Sequence, residues 1–467
     1  MVNKLKEHWD EVIGPDKWLY MEACLSAVCT LFLKDNKNPL GLIIIGPSAG
    51  SKSTILNMFK YLPNNLTHHT DKFTPASFLT QATNVPQDKL ESIDLIRKLP
   101  NRILLVPDLV SMFGKKEQDV KESLSILTRV MDGDGLSNDG GVQGHREFNE
   151  ECVFVMLGAV VKIVPAIWKI VSEMGTRLLF IRMDRLNMHE SQTDILIKQI
   201  NNRNHYRANE KQLGQMTYNL IEGKIERYGI RQVEWNKPYD EVVSRMISLI
   251  SELISKLRVT ADKEMGLEQN ETPLRVLNQL INLMQGRAIL YDRDYIVDDD
   301  LSLALVVALS SVDLVRGQIT RVAIGHCSEY LKLKDFVYHT NFMQTKLRQE
   351  LSILTQIGIL ETGRDGNADK WKLHEYWEDL WSDYRLKDAN FIQGLIQLSV
   401  GYFHISNLNI NGARGLLNKC RPKLVRFSPK YRELNVLHIL ESVDNSLDFL
   451  DKNSDISKFD WSLVPNL

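Results

Sequence analysis

The chain has 467 residues, 43% of them hydrophobic, and its 57 basic side chains are balanced by 59 acidic ones for a net charge of -2. That length allows two to four folded units with large cores, and the charge balance excludes a globally basic nucleic-acid coat protein, leaving only local patches for such a role. The five scattered cysteines, Cys24, Cys29, Cys152, Cys327 and Cys420, contain no C-x-x-C pair and predict free thiols in a reducing interior, not a disulfide framework or a zinc site. The opening MVNKLKEHWDEV is charged and amphipathic, and no later run approaches the ~18 uninterrupted apolar residues of a membrane span. The expectation is a soluble, cytoplasmic protein with no membrane partner.

Residues 1–38 read as a helical segment, with Trp18, Met21, Leu25, Val28 and Phe32 at spacings of three and four. Over 39–185 the pattern changes to short apolar runs, LGLIII, RILLVPD, CVFVMLGA and RLLFIRM, separated by polar helical stretches. Such runs predict buried parallel strands of an α/β domain. Residues 186–320 have only helical periodicity. Residues 321–365 give a short helix, a polar break at His339-Thr340-Asn341, the helix FMQTKLRQELSILTQIG and a strand-like ILET, the order of a winged helix-turn-helix. Residues 366–450 predict an all-α bundle, rich in Trp and Tyr at its start, and 451–467 a C-terminal tail.

The chemistry centres on GPSAGSKST, Gly46, Pro47, Ser48, Ala49, Gly50, Ser51, Lys52, Ser53 and Thr54, which follows LGLIII. Strand, glycine-bearing loop and Lys-Ser opening a helix make the pattern of a P-loop. Its backbone N–H groups hold phosphate oxygens, Lys52 neutralises the β and γ phosphates, and the Ser53 hydroxyl ligates magnesium. Ser51 replaces the usual glycine before the lysine. Its small side chain still lets the backbone approach phosphate, provided that the position does not need a positive φ. The alternative is a chance Gly/Ser-rich turn.

RILLVPD brings Asp108 to a strand end, the place of a second magnesium-binding carboxylate; the alternative is an aspartate that starts a turn. No glutamate follows Asp108, so the group that would activate a water is sought in Asp132, Asp134 or a more distant Glu. Arg177 precedes the strand LLFIR, and is read either as a cation that reaches a neighbouring subunit's γ-phosphate or as a solvated strand-start residue.

Taken together, LGLIIIGPSAGSKST, TDKFTPASFLTQA, LPNRILLVPDLVSMF, LTRVMDGD and LGAVVKIVPAIWKIVSEMGTRLLFIRM resemble an AAA+ ATPase family of phages and mobile elements related to the minichromosome maintenance helicases. The resemblance implies ATP and Mg2+ at Lys52, Ser53 and Asp108, an arginine finger at Arg177 acting on the next subunit of a hexameric ring, and a helical lid over 186–320 with Arg275 as a sensor arginine. Loops of that family commonly have a small non-glycine residue before the lysine, as Ser51 is. Two departures stand out. CVFVMLGAVVKI lacks the polar sensor residue expected on that strand unless Lys162 supplies it. The segment DGDGLSNDGGVQGHREF, where related motors grip DNA, has only His145 and Arg146 as cations, which favours a glycine-rich surface loop.

In the helix FMQTKLRQELSILTQIG, Lys346 and Arg348 are candidates for phosphate and Gln344 or Gln349 for a base edge; winged helices also dock proteins. WKLHEYWEDLWSDYR with FIQGLIQLSVGYFHISNLNINGARGLLNKC resembles the domain-of-unknown-function 309 family, a small helical fold with no implied activity. His374, Trp377, Glu378 and Trp381 would share a helix face, read mainly as bundle packing rather than a ligand site.

The expected fold is therefore an α/β P-loop (AAA+) domain with a helical lid, a winged helix and an all-α C-terminal bundle. The expected function is an ATP-hydrolysing, helicase-like or remodelling motor on DNA. The competing expectation is an ATP-binding switch that turns over slowly and recruits a protein. A small-molecule kinase fits less well, because nothing in the helical half resembles an acceptor site.

Overall fold

The amphipathic opening forms α1 (Val2–Val12), which buries Val2, Leu5 and Trp9 on one stripe. It leads to α2 (Trp18–Cys29), buried along almost its whole length and hence a core helix. The computed structural model describes every residue except 49, 72–73, 82–84, 141–143, 176, 184–205, 263–265, 269–271, 327–328, 367, 430, 432–433, 453–455 and 466–467. Ala49, Cys327 and the start of the region 186–320 thus lie outside the described residues.

The apolar runs become a parallel sheet. Its strands are β1 (Leu40–Ile45), β2 (Thr67–His69), β3 (Ile103–Val106), then β6 (Val155–Val160) and β7 (Leu178–Arg182), in the order β2-β3-β6-β1-β7. Between β3 and β6 the chain makes a separate antiparallel hairpin, β4 (Leu136–Gly140) and β5 (Gly144–Phe148). Every residue of β1, β3, β6 and β7 is buried, which is why these strands read as continuous hydrophobic runs instead of alternating ones. On β1, Leu40 pairs in register with Val155 and Gly41 with Leu178. Helices α3 (Lys52–Met58), α4 (Gln87–Ile93), α5 (Val110–Phe113), α6 (Glu117–Val130) and α7 (Pro165–Glu173) connect the strands.

The helical stretch that follows comprises α8 (Tyr206–Tyr228), α9 (Glu241–Leu257), α10 (Pro273–Leu290), α11 (Asp298–Ser310) and α12 (Leu314–Gly325), interrupted by the short hairpin of β8 (Thr260–Asp262) and β9 (Gly266–Glu268). Helix α2 packs along α10, so the N-terminal segment and this helical region form one body of helices rather than two separate pieces. They come close at Gly286, where an added Cβ would lie 2.1 Å from the Ser26 carbonyl oxygen. Gly286→Ala must therefore push the helices apart. The expected cost is about 2 kcal/mol, read as a fall in melting temperature; an unchanged melting curve would refute so close a crossing.

Beyond α12 come β10 (Leu331–Lys332), α13 (Leu333–Thr340), α14 (Gln344–Gln356), β11 (Leu360–Asp365) and β12 (Ala368–Leu373), the strands forming a small sheet in the order β10-β12-β11. Helix α13 stops at Asn341, whose φ of 57° is the left-handed conformation that asparagine tolerates.

The chain folds as two compact units, Met1–Lys372 and Leu373–Leu467. Residues Ala368–Leu373 are strand, so the helical part begins later than the 366 read from the sequence. The second unit consists of α15 (Glu375–Ser406), α16 (Ile410–Leu424) and α17 (Val436–Lys452). Phe391, Leu398, Leu417, Leu424, Val436 and Val443 are among the residues of its core. Among the described cysteines, Cys24, Cys29, Cys152 and Cys420 are buried free thiols. Burial pushes Cys152 and Cys420 up to about 12, far from thiolate reactivity. No described helix is long and apolar enough to cross a membrane.

Candidate functional site

The carboxyl end of β1 lies at the point where the strand order of the sheet reverses. The chain leaving β1 runs to β2 at one edge, while the chain leaving its neighbour β6 runs to β7 on the other side. With right-handed crossovers, adjacent strands whose connections run in opposite directions put their helices on opposite faces and open a crevice at the carboxyl ends. The loop from Gly46 to Ser51 occupies that place, and Lys52 opens α3.

Lys52 is only 8% exposed. Its Nζ donates to the carbonyl oxygens of Gly46 at 2.7 Å and Pro47 at 2.6 Å, and among the described residues no carboxylate bonds it. Burial lowers its pKa, against an opposing pull from Asp108. A buried ammonium satisfied only by neutral carbonyls is a ready acceptor of an anion, because an anion would supply the missing counter-charge. Ser53 lies exposed beside it. Asp108, two residues beyond β3, is also exposed, and its Oδ1 accepts from the Val110 N–H at 2.8 Å. It therefore starts a turn and still contributes charge near Lys52. Lys162, the stand-in for a polar sensor, is exposed beyond β6.

The condition attached to Ser51 is not met: its φ is 68° and ψ 6°, in the left-handed region. Serine there carries a strain of about 1–2 kcal/mol. Ser51→Gly is expected to stabilise the protein by about 1 kcal/mol, seen in denaturant midpoints, with nucleotide affinity maintained or improved; a destabilised variant would contradict the left-handed assignment.

Arg177 stands elsewhere. It precedes β7, and parallel registration with β1 puts it at the amino end of the sheet. The five residues of β7 alone separate that end from the carboxyl end by about 16 Å. Arg177 Nε and Nη2 donate to the two carboxylate oxygens of Asp132 at 2.8 and 3.1 Å, and Nη1 to the Gly175 carbonyl at 3.0 Å. Arg275, exposed on α10, reaches the same Gly175 oxygen at 3.4 Å, and Gln279 Nε2 donates to the Arg177 carbonyl at 2.6 Å. Arg177, Asp132, Arg275 and Gln279, with Asp134 and Asn38, line a cavity of about 340 Å³. Arg177 and Arg275 are thus brought together, while Asp132 and Asp134, considered as water-activating groups for Lys52, sit at the wrong end of the sheet for that task within one chain.

The region read as a glycine-rich loop is the β4–β5 hairpin, with Asp139 opposite His145 and Asn138 opposite Arg146. Arg146 is not available to nucleic acid. It is 8% exposed and forks onto the fully buried Asp94, Nη2 to Oδ2 at 2.6 Å and Nη1 to Oδ1 at 3.2 Å, with a further bond to the Thr80 carbonyl. His145 is exposed, but Asp139 and Glu147 bracket it at 2.8 and 3.3 Å; their hydrogen bonds raise its pKa and their charge opposes a phosphate. The hairpin therefore presents a mixed, not a basic, surface.

On α14, Lys346 is tied to Glu350 at 2.6 Å, and Glu350 is itself buried against Arg316 at 2.7 Å. Lys346 is thus paired with Glu350 while 41% of its side chain stays exposed. Arg348 remains exposed, near Lys332, Lys334 and Trp371 around a second cavity. In the C-terminal unit His374 is not on a helix face. It caps α15, its Nδ1 accepting from the Tyr376 N–H at 3.2 Å. Trp377 is fully buried, and the side chains of Glu378 and Trp381 lie outside the described residues.

Sequence reasoning missed one cluster. Glu22 on α2, Arg287 on α10 and Asp300 on α11 meet in the core: Arg287 Nη2 donates to Glu22 at 2.9 Å and Nη1 to Asp300 at 2.7 Å, and Arg293 forks onto the same Asp300 at 2.8 and 2.9 Å. Burial opposes the Arg287 charge, yet Glu22 and Asp300 outweigh it and hold its pKa above the ordinary value.

Residues 367–416 match a family described as a domain of unknown function, DUF309. The match takes in β12, α15 and the first part of α16. No curated protein matches the chain.

Proposed function

We propose that the chain is an AAA+ ATPase that binds Mg2+-ATP in the loop Gly46–Thr54 and hydrolyses it between the subunits of a ring. The observation that carries this reading is Lys52: a buried ammonium at the carboxyl end of β1, held by two loop carbonyls, with Asp108 close enough to influence it. Lys52 would neutralise the terminal phosphates, and Ser53 and Asp108 are oxygen donors of the kind magnesium takes. Bound magnesium would neutralise phosphate charge.

The ring is supported by distance. Arg177 and Arg275 stand at the end of the sheet opposite Lys52, so they can serve only a nucleotide held by another copy. In this reading each chain offers Lys52 on one side and Arg177 on the other.

DNA remains the substrate of the reading, met by the exposed Arg348 on α14 and neighbouring lysines. A second reading, an ATP-gated switch with slow turnover that recruits a protein, draws support from the burial of Arg146 and from the turn-forming position of Asp108 without a neighbouring glutamate. Steady-state phosphate release with and without single- or double-stranded DNA separates them. DNA-stimulated turnover is the outcome of the motor; ATP binding with slow, DNA-indifferent turnover is the outcome of the switch. Failure to bind ATP at all sinks both.

A further inference from the structure

Resting on the ring reading above, we infer that Asp132 is a latch that keeps Arg177 away from phosphate until a second copy docks. The guanidinium is spoken for in the single chain: a two-pronged pairing with the Asp132 carboxylate at 2.8 and 3.1 Å, and its remaining nitrogen on the Gly175 carbonyl at 3.0 Å. A carboxylate in that fork neutralises the charge an arginine needs to attract phosphate, and occupies the same in-plane donors that phosphate would use.

The latch is anchored on the sheet side. The Asp132 carbonyl accepts from Asn38 Nδ2 at 2.9 Å just before β1, and the Arg177 carbonyl accepts from Gln279 on α10. Each backbone is thus held by a side chain from another element, while the carboxylate–guanidinium pair can change partners. It lies at the edge of the 340 Å³ cavity, with 12% of the Arg177 side chain and 26% of the Asp132 side chain exposed, so a group arriving from outside can reach it. Arg275 shares the Gly175 oxygen with Arg177 and faces the same opening. A terminal phosphate presented by a neighbour has more negative charge than one carboxylate and the same fork-matching oxygens. Arg177 then exchanges Asp132 for phosphate, and turnover is tied to assembly.

The test follows ATP turnover per chain against protein concentration for the full-length wild type, Asp132→Asn, Asp132→Glu and Asp132→Asn combined with Arg177→Ala. Removing the charge should let Asp132→Asn reach half-maximal turnover at roughly five-fold lower protein concentration, the scale of a part-exposed ion pair. Asp132→Glu should stay near wild type, and the double variant should lose the gain. Should Asp132→Asn melt early, Asp132→Ser makes the same comparison. If instead the uncharged variants keep their melting curves but lose turnover as Arg177→Ala does, Asp132 positions the arginine and the latch is overturned; an unchanged concentration profile overturns it too. A wild type that binds ATP but never turns it over at any concentration removes the ring reading and, with it, any role for the latch.

Discussion

Lys52→Ala is expected to weaken ATP binding by roughly 100-fold and to abolish turnover, while leaving the protein folded. The affinity loss is that of removing one partner from a desolvated charge pair, about 3 kcal/mol. The fold should survive because Lys52 is a cost in the free protein: its ammonium is buried with carbonyls as partners, and alanine removes that cost. Calorimetric titration with Mg2+-ATP, phosphate release and a melting curve check the three parts. An unchanged affinity would rule out the loop as the nucleotide site. Arg177→Ala should give the complementary result, lost turnover with binding retained.

The same lysine sets a pH dependence. Burial lowers its pKa in the free protein, whereas a bound polyphosphate would favour the charged form and raise it. Binding therefore takes up a proton on the alkaline side. ATP affinity should fall as pH rises through the depressed Lys52 value, earlier than an ordinary lysine would dictate, and the fall should vanish in Lys52→Ala.

Asp300→Ala should cause the largest loss of stability, about 3–5 kcal/mol. Asp300 is completely buried, binds both Arg287 and Arg293, and its Oδ2 also accepts from the Val297 N–H at 2.8 Å. Its removal leaves the buried Arg287 with Glu22 as its one remaining carboxylate partner and uncaps the start of α11. Asp300→Asn, which retains shape and some hydrogen bonding, should cost less. Chemical denaturation of the two variants gives the comparison, and an alanine variant as stable as wild type would mean that the cluster contributes nothing net.

The parallel sheet was legible because four buried strands leave uninterrupted apolar runs, and β1 with its loop could be located to the residue. The condition placed on Ser51 was also legible as a question, though not its answer: a left-handed φ leaves no trace in a serine. What sequence could not reveal were pairings across long separations. Arg146 looked like a cation on a glycine-rich tip, and only the fold shows Asp94 beneath it. Asp132 looked like a candidate base, and only parallel registration puts it beside Arg177, 45 positions on and far from Lys52. Glu22, Arg287 and Asp300 come from three helices, and each alone reads as an ordinary surface charge. Helical periodicity marked the helices of 1–38 and of the described part of 186–320, but neither the β8–β9 hairpin that interrupts the latter nor the core they share, because a helix-wide apolar surface does not name its partner.

The separation of Lys52 from Arg177 along one sheet has a geometric consequence for assembly. A twofold-related pair that lays one face, holding both ends, against its own copy in reverse would complete two proposed sites and stop growing. Head-to-tail stacking also brings unlike ends together, and leaves one lysine end and one arginine end open after every addition. Every junction in such a stack is equivalent, and whether it closes on itself or runs on as a spiral depends solely on the rotation from one copy to the next. The strand direction of β1 and β7 would then become the polarity of the whole assembly.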